Sequence, residues 1–144
     1  ERMLPIADDK VFDTDRMVEL ACRIIGQKAE EGNCVIVGRG APWILRKRSD
    51  AFHIFIYGSR DDKIQRLVNL KMDQREATEL IDTIDHERAA FVRKYFGAEW
   101  PTRFLYNMML NSRPGTEFTA ELILHTMDLL ERKATALREE HTAV

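Results

Sequence analysis

Two apolar runs decide most of what this chain can become. Cys34-Val35-Ile36-Val37 and "AFHIFIY", Ala51 to Tyr57, lack the polar alternation of a strand with one wet face. Runs of this kind suit strands covered on both faces, as in parallel sheets. Parallel strands need long crossovers, and the surrounding sequence supplies helices. Met17, Leu20, Ala21, Ile24 and Ile25 share one face of a helix capped by Asp13 or Thr14 and closed by Gly32. A short helix is expected from about Pro42 to Lys47. Ser59, with Asp62 three residues on, opens another. Asp73 and Glu76 repeat that signature for a long helix to about Phe96, with Ala77, Leu80, Ile81, Ile84, Phe91 and Tyr95 inward. Tyr106 to Asn111 is a further strand candidate, although its methionines would also suit a helix. A last helix is expected from Thr116 or Glu117 to roughly Leu137, with Leu122, Ile123, Thr126, Leu129 and Leu130 inward. The alternation predicts an α/β fold in one domain, a parallel sheet flanked by helices.

Composition narrows the function. The 144 residues are 44% hydrophobic and 32% charged, enough for a core, and the net charge is -2. Nothing there draws the chain to nucleic acid or to a membrane, so a site for a polyanion must be a local cluster. No apolar run reaches the length of a membrane span, and the N-terminus does not read as a signal peptide. Cys22 and Cys34 are isolated and flanked by apolar residues, which predicts reduced core cysteines in a cytoplasmic protein. His53 reads as a satisfied core histidine; His86 and His125 lack metal-ligand spacing; Trp43 and Trp100 read as core.

The chemistry gathers where strands should end. In open α/β sheets ligands bind beyond the carboxyl ends of the strands. Gly38-Arg39-Gly40, Gly58-Ser59-Arg60 and Asn111-Ser112-Arg113 fall there, each with an arginine. The guanidinium fork suits phosphate or carboxylate, and glycine lets a ligand approach the backbone. Each arginine could equally be a solvated loop residue or pair with a nearby acid. On the long helix, Arg88 falls four residues after Ile84 and three before Phe91, inside the apolar stripe, where it must find a partner or face a cleft. Asp85, Glu87 or another acid could be that partner. Arg93 and Lys94 lie nearer the polar side.

As an ordered set, these segments resemble the cytidylate kinase-like family of P-loop nucleoside monophosphate kinases. "CVIVGRGAPWIL" is similar to that family's strand ending in Gly-Arg-Gly or Gly-Arg-Asp. "HIFIYGSRDDKIQRL" is similar to the strand and helix that lead into the lid, and "IDHERAAFVRKYFGAEW" to the lid itself, here about residues 72–103. "LYNMMLNSRPGTEFTAELI" is similar to the last strand, the loop flanking the donor base and the final helix. The resemblance implies a three-layer P-loop NTPase-like fold and transfer of the γ-phosphoryl of ATP, with Mg2+, to an acceptor such as CMP. It implies that Arg39, with Gly38 and Gly40, holds the acceptor phosphate. Arg88 and Arg93, with Lys94, would clamp the phosphates; Arg66 would stand at the lid base. Asn111, Ser112 and Arg113 would border the donor base. The implied partners are nucleotides, not nucleic acid or membrane, with room left for a homodimer.

The sequence also departs from that pattern. No G-x-x-x-x-G-K-[ST] occurs, and no strand precedes one. In the family's sheet that strand lies between those formed by "CVIVG" and "AFHIFIY". The expectation is a fragment of a longer protein, inactive by itself, or a sheet completed by exchange with a second chain. A non-catalytic nucleotide-binding domain and a structural helical partner are the competing readings.

Overall fold

The computed structural model describes residues 14–38 and 40–142, which fall into two units divided between Ala51 and Phe52. In the first unit, α1 spans Thr14–Glu31 and α2 Ala41–Ile44. Gly32 closes α1 in the left-handed region (φ 73°), its N–H donating to the Lys28 carbonyl at 3.2 Å, as expected for a glycine terminator. Ile25 packs with Ala41 and Leu45, and Ala29, Ile36, Ile44 and Ala51 complete this small core. Arg48 ties the unit together. It donates to the Ala29 carbonyl at 3.2 Å and holds both oxygens of Asp50, at 3.0 and 2.7 Å.

In this unit one expectation falls outside the described residues and several others fail. Asp13, one of the two proposed caps, lies outside the described residues, and α1 begins at Thr14. Met17, Leu20 and Ile24, assigned to a buried face, are exposed; of that face Ile25 is the deeply buried member. Most consequentially, Cys34 to Val37 forms no strand, and Val35 and Val37 are 93% and 85% exposed. A strand exists by pairing its backbone groups, and the described residues of this unit offer no second extended segment to pair with. Cys34 is accordingly exposed, its thiol near the Lys28 carbonyl at 3.3 Å. α2 also stops at Ile44, short of Lys47, and gives way to a turn.

In the second unit, β1 spans Ile54–Tyr57, α3 Arg60–Asn69, α4 Gln74–Phe96, β2 Met108–Asn111 and α5 Thr116–Thr142, with a 3-10 turn over Arg103–Leu105. β1 and β2 are parallel, with Ile54, Phe55, Ile56 and Tyr57 opposite Met108, Met109, Leu110 and Asn111. The α/β class and the parallel pairing follow the sequence. Both strands start later than expected because pairing sets their length. Asn107 marks the start: its side-chain oxygen accepts the His53 N–H at 2.7 Å, and its own N–H donates to the His53 carbonyl at 2.8 Å. His53 is not the satisfied core residue expected, for its buried Nε2 lacks a hydrogen-bond partner among the described residues.

α3 and α4, the crossover, pack on each other. Both caps are as read: the Ser59 hydroxyl accepts the Asp62 N–H at 3.1 Å, and the Asp73 carboxylate accepts from Arg75 and Glu76. Ala77 is fully enclosed, while Leu80, placed inward by its spacing, is partly exposed and Val92 is buried instead. Gly97 ends α4 in the left-handed conformation. On α5, Thr119 is buried and its hydroxyl donates to the Gly115 carbonyl at 2.7 Å, but Leu129 and Leu130 are exposed, not inward.

Candidate functional site

The two strand-end turns of the second unit lie side by side because β1 and β2 are parallel and in register. The Ser112 N–H donates to the Tyr57 carbonyl at 2.7 Å, extending the ladder one residue past the strands. Asn111 turns the chain there, its side-chain oxygen accepting the Arg113 N–H at 2.9 Å. Gly58 sits close against this turn: a Cβ would crowd the Ser112 hydroxyl at 3.0 Å and touch Lys63 Cγ at 3.9 Å. Into this corner Arg66 reaches from α3, donating from Nη2 to the Ser112 hydroxyl at 3.2 Å. Arg113 pairs with Asp62 at 3.3 Å. Hydrogen bonding with Ser59 first, and with Arg113 second, holds the Asp62 carboxyl below its usual range.

α4 supplies the facing wall. Arg60 grips Asp82 through two bonds, at 2.8 and 2.7 Å, a fork-to-carboxylate geometry that lowers the carboxyl of Asp82 and raises the guanidinium of Arg60. Lys63, mostly enclosed, pairs with Asp85, and Arg88 donates to the other oxygen of the same carboxylate at 3.2 Å. The guanidinium carbon of Arg88 stands 5.9 Å from the ring centroid of Trp100. The partner for Arg88 is thus Asp85, one of the acids the sequence offered, but Arg88 is more than half exposed and the pair is not buried.

Lys63, Arg66 and Arg113 therefore stand at the carboxyl end of the parallel pair, with Arg60 beside them on α3, and Arg88 joins the cluster through the Asp85 carboxylate it shares with Lys63. Of the residues singled out from sequence, the cluster unites Arg66, Arg88, Asn111, Ser112 and Arg113. Arg93 is exposed near the end of α4, and no described contact joins it to the cluster. Lys94 sits with its ammonium 4.7 Å from the ring centroid of Tyr95. Arg39 lies outside the described residues. Its neighbours Gly38 and Gly40, in the other unit, both adopt left-handed backbone (φ 73° and 71°), and Gly40 caps α2. Lys63 and the bridging role of Asp85 escaped the sequence reading, as did any role for Trp100 outside the core. A signal for the first two was present, since basic residues recur at Arg60, Lys63 and Arg66 and acids at Asp82 and Asp85, each three apart on one helix face.

This arrangement can hold an anion with several oxygens; it contains no activated nucleophile. Among the described residues no group of three His, Cys, Asp or Glu side chains is placed to hold a metal ion, and no helix is long and apolar enough to cross a membrane.

Residues 3–114 match the family model described as "Cytidylate kinase-like family". The crystal structure of an uncharacterized protein from Eubacterium ventriosum ATCC 27560 superposes with a TM-score of 0.73 at 22% identity, over 89% of this chain and 76% of that one. At that identity the likeness speaks for the fold alone. Among curated proteins, none matches this chain.

Proposed function

The chain belongs to the cytidylate kinase-like family, and from that premise we propose that it is the acceptor and lid part of a nucleoside monophosphate kinase with a P-loop NTPase-like fold. The gathering of Lys63, Arg66 and Arg113 at the ends of β1 and β2, with Arg88 tied to Lys63 through Asp85, carries this reading. Phosphoryl transfer asks a protein for positioning and positive charge more than for covalent chemistry. The acceptor phosphate is its own nucleophile: its oxygen bonds to the γ-phosphorus of ATP while the bond to the bridging oxygen breaks, and ADP leaves with that electron pair.

Arg39 would hold the acceptor phosphate, with Gly38 and Gly40 giving it access. Arg88, with Arg93 and Lys94, would close over the transferring group; Arg66, hydrogen bonded to Ser112, would stand at the base of that lid, and Asn111 to Arg113 would border the donor base. The cationic donors fit nucleotide phosphates. Mg2+, arriving on the phosphates of ATP, would neutralise charge on the γ-phosphoryl group. The 144 residues contain no G-x-x-x-x-G-K-[ST], so the cradle for the donor phosphates would come from chain outside them. The edge of β1 not paired with β2 would seat the strand carrying it.

Calorimetric titration with CMP and with cytidine tests the reading. CMP should bind, cytidine should bind far more weakly, and Arg88→Gln or Arg66→Gln should each weaken CMP about tenfold or more, as for a charge-assisted bond to phosphate. Equal affinity for CMP and cytidine overturns it. The missing phosphate-loop motif favours a second reading, a non-catalytic nucleotide-binding domain. CMP binding by the full-length protein without formation of ADP from ATP would select that one.

A further inference from the structure

Arg88 is held by two contacts of different kinds. Asp85, one turn earlier on α4, takes its Nη1 at 3.2 Å and shares its other oxygen with Lys63 of α3. On the second side lies Trp100, whose ring centroid is 5.9 Å from the guanidinium carbon, within the range of about 6 Å for a cation–π contact. Trp100 is itself fixed. It meets Phe55 edge-on, at 5.7 Å and 76°, and Phe55 sits in β1 against Tyr57 and Tyr106.

A continuous path thus runs from the sheet to the exposed cation: Phe55, Trp100, Arg88. Asp85 alone would leave Arg88 following the motions of α4, because donor and acceptor ride on the same helix. The aromatic contact references Arg88 to β1 instead, the strand whose carboxyl end carries the rest of the cluster. A long side chain ordered in advance surrenders less entropy when an anion arrives.

We propose that Trp100 is a positioning residue for Arg88, presenting its guanidinium to the phosphate of a bound nucleotide. The proposal rests on the reading of Arg88 as a phosphate clamp. It gives Trp100, read from the sequence as core, a functional part.

A double-mutant cycle with CMP as probe tests it, using Trp100→Leu, Arg88→Gln and the double variant. Trp100→Leu should weaken CMP about two- to fivefold, the range of a partly exposed cation–π contact. In the Arg88→Gln background it should cost nothing further. Trp100→Phe, which keeps a ring and the packing on Phe55, should fall between wild type and Trp100→Leu and decides the matter if the leucine variant fails to fold. Trp43 and Trp100 are the two tryptophans, so Trp43→Phe leaves one emitter, and Arg88→Gln in that background should shift its fluorescence before any ligand is added. Additive losses in the cycle, or fluorescence unchanged by Arg88→Gln, overturn the role of Trp100. No loss of CMP affinity in Arg88→Gln alone overturns the clamp reading itself, and this proposal with it.

Discussion

Cys34 to Val37 and Ile54 to Tyr57 are close chemical equivalents, short apolar segments each followed by a glycine, yet only the second is a strand. The second has β2 beside it in register, and Phe55 has Tyr57, Trp100 and Tyr106 around its ring. The first has no paired neighbour among the described residues, and its valines face outward. Strand propensity is largely a measure of fit to a pleated, partly covered surface. Without that surface the same side chains are merely exposed.

The sharpest way to break this comparison is to truncate both segments. Phe55→Ala should cost about 3 kcal/mol in urea unfolding, the range for removing a packed aromatic ring. Val35→Ala should stay within about 0.5 kcal/mol, as for a surface substitution. A comparable loss at Val35 would mean that the segment packs against something after all, and the contrast would collapse.

The same contrast explains what could be read in advance. Helix ends were legible at the residue level because their chemistry is local: Ser59, Asp73 and Gly32 satisfy backbone groups within one turn. The parallel pairing of β1 and β2 was legible as a class, from apolar runs separated by helices. Burial was not. Met17, Leu20 and Ile24 have ideal spacing for a covered face and remain exposed, since spacing says which residues share a face and nothing about a partner for it. In the site, Arg113 stood out as an arginine just past a strand and Arg88 as a charge inside an apolar stripe, whereas Arg66 came only from the family resemblance. The pairing of Lys63 with Asp85 was missed because it crosses between two helices, 22 positions apart in sequence.

The glycines offer a second, smaller test. Gly38→Ala meets open space but a φ of 73°, so its cost should be backbone strain, about 1 kcal/mol. Gly38→Asn should recover part of it, as asparagine tolerates that region. At Gly58 the obstacle is a neighbour. Alanine there would press on the Ser112 hydroxyl and disturb its 3.2 Å bond from Arg66, so CMP affinity should fall more than stability does. A stability loss at Gly58 without an effect on binding would remove that turn from the site.

The smallest expected effect compares the acid response of the two units. Asp82 is held below its usual range by Arg60, and Asp62 by Ser59 and then Arg113; in the first unit Asp50 is held down by Arg48. A carboxyl depressed in the folded state contributes its stability above the unfolded value, about 4, and loses it as pH falls through the lower folded value. Stability should therefore decline below about pH 4, modestly, because these pairs are exposed to solvent and salt. Asp82→Asn should flatten that decline, and urea unfolding from pH 7 to pH 3 measures it. Asp50→Asn should flatten it as well, through a pair that touches no strand-end cation. CMP affinity separates the two: Asp82→Asn frees Arg60 beside the cluster and should change it, whereas Asp50→Asn should leave it alone. If both variants alter CMP affinity equally, the cations on α3 and α4 have no special claim to the phosphate, and the second unit loses its distinction as the site.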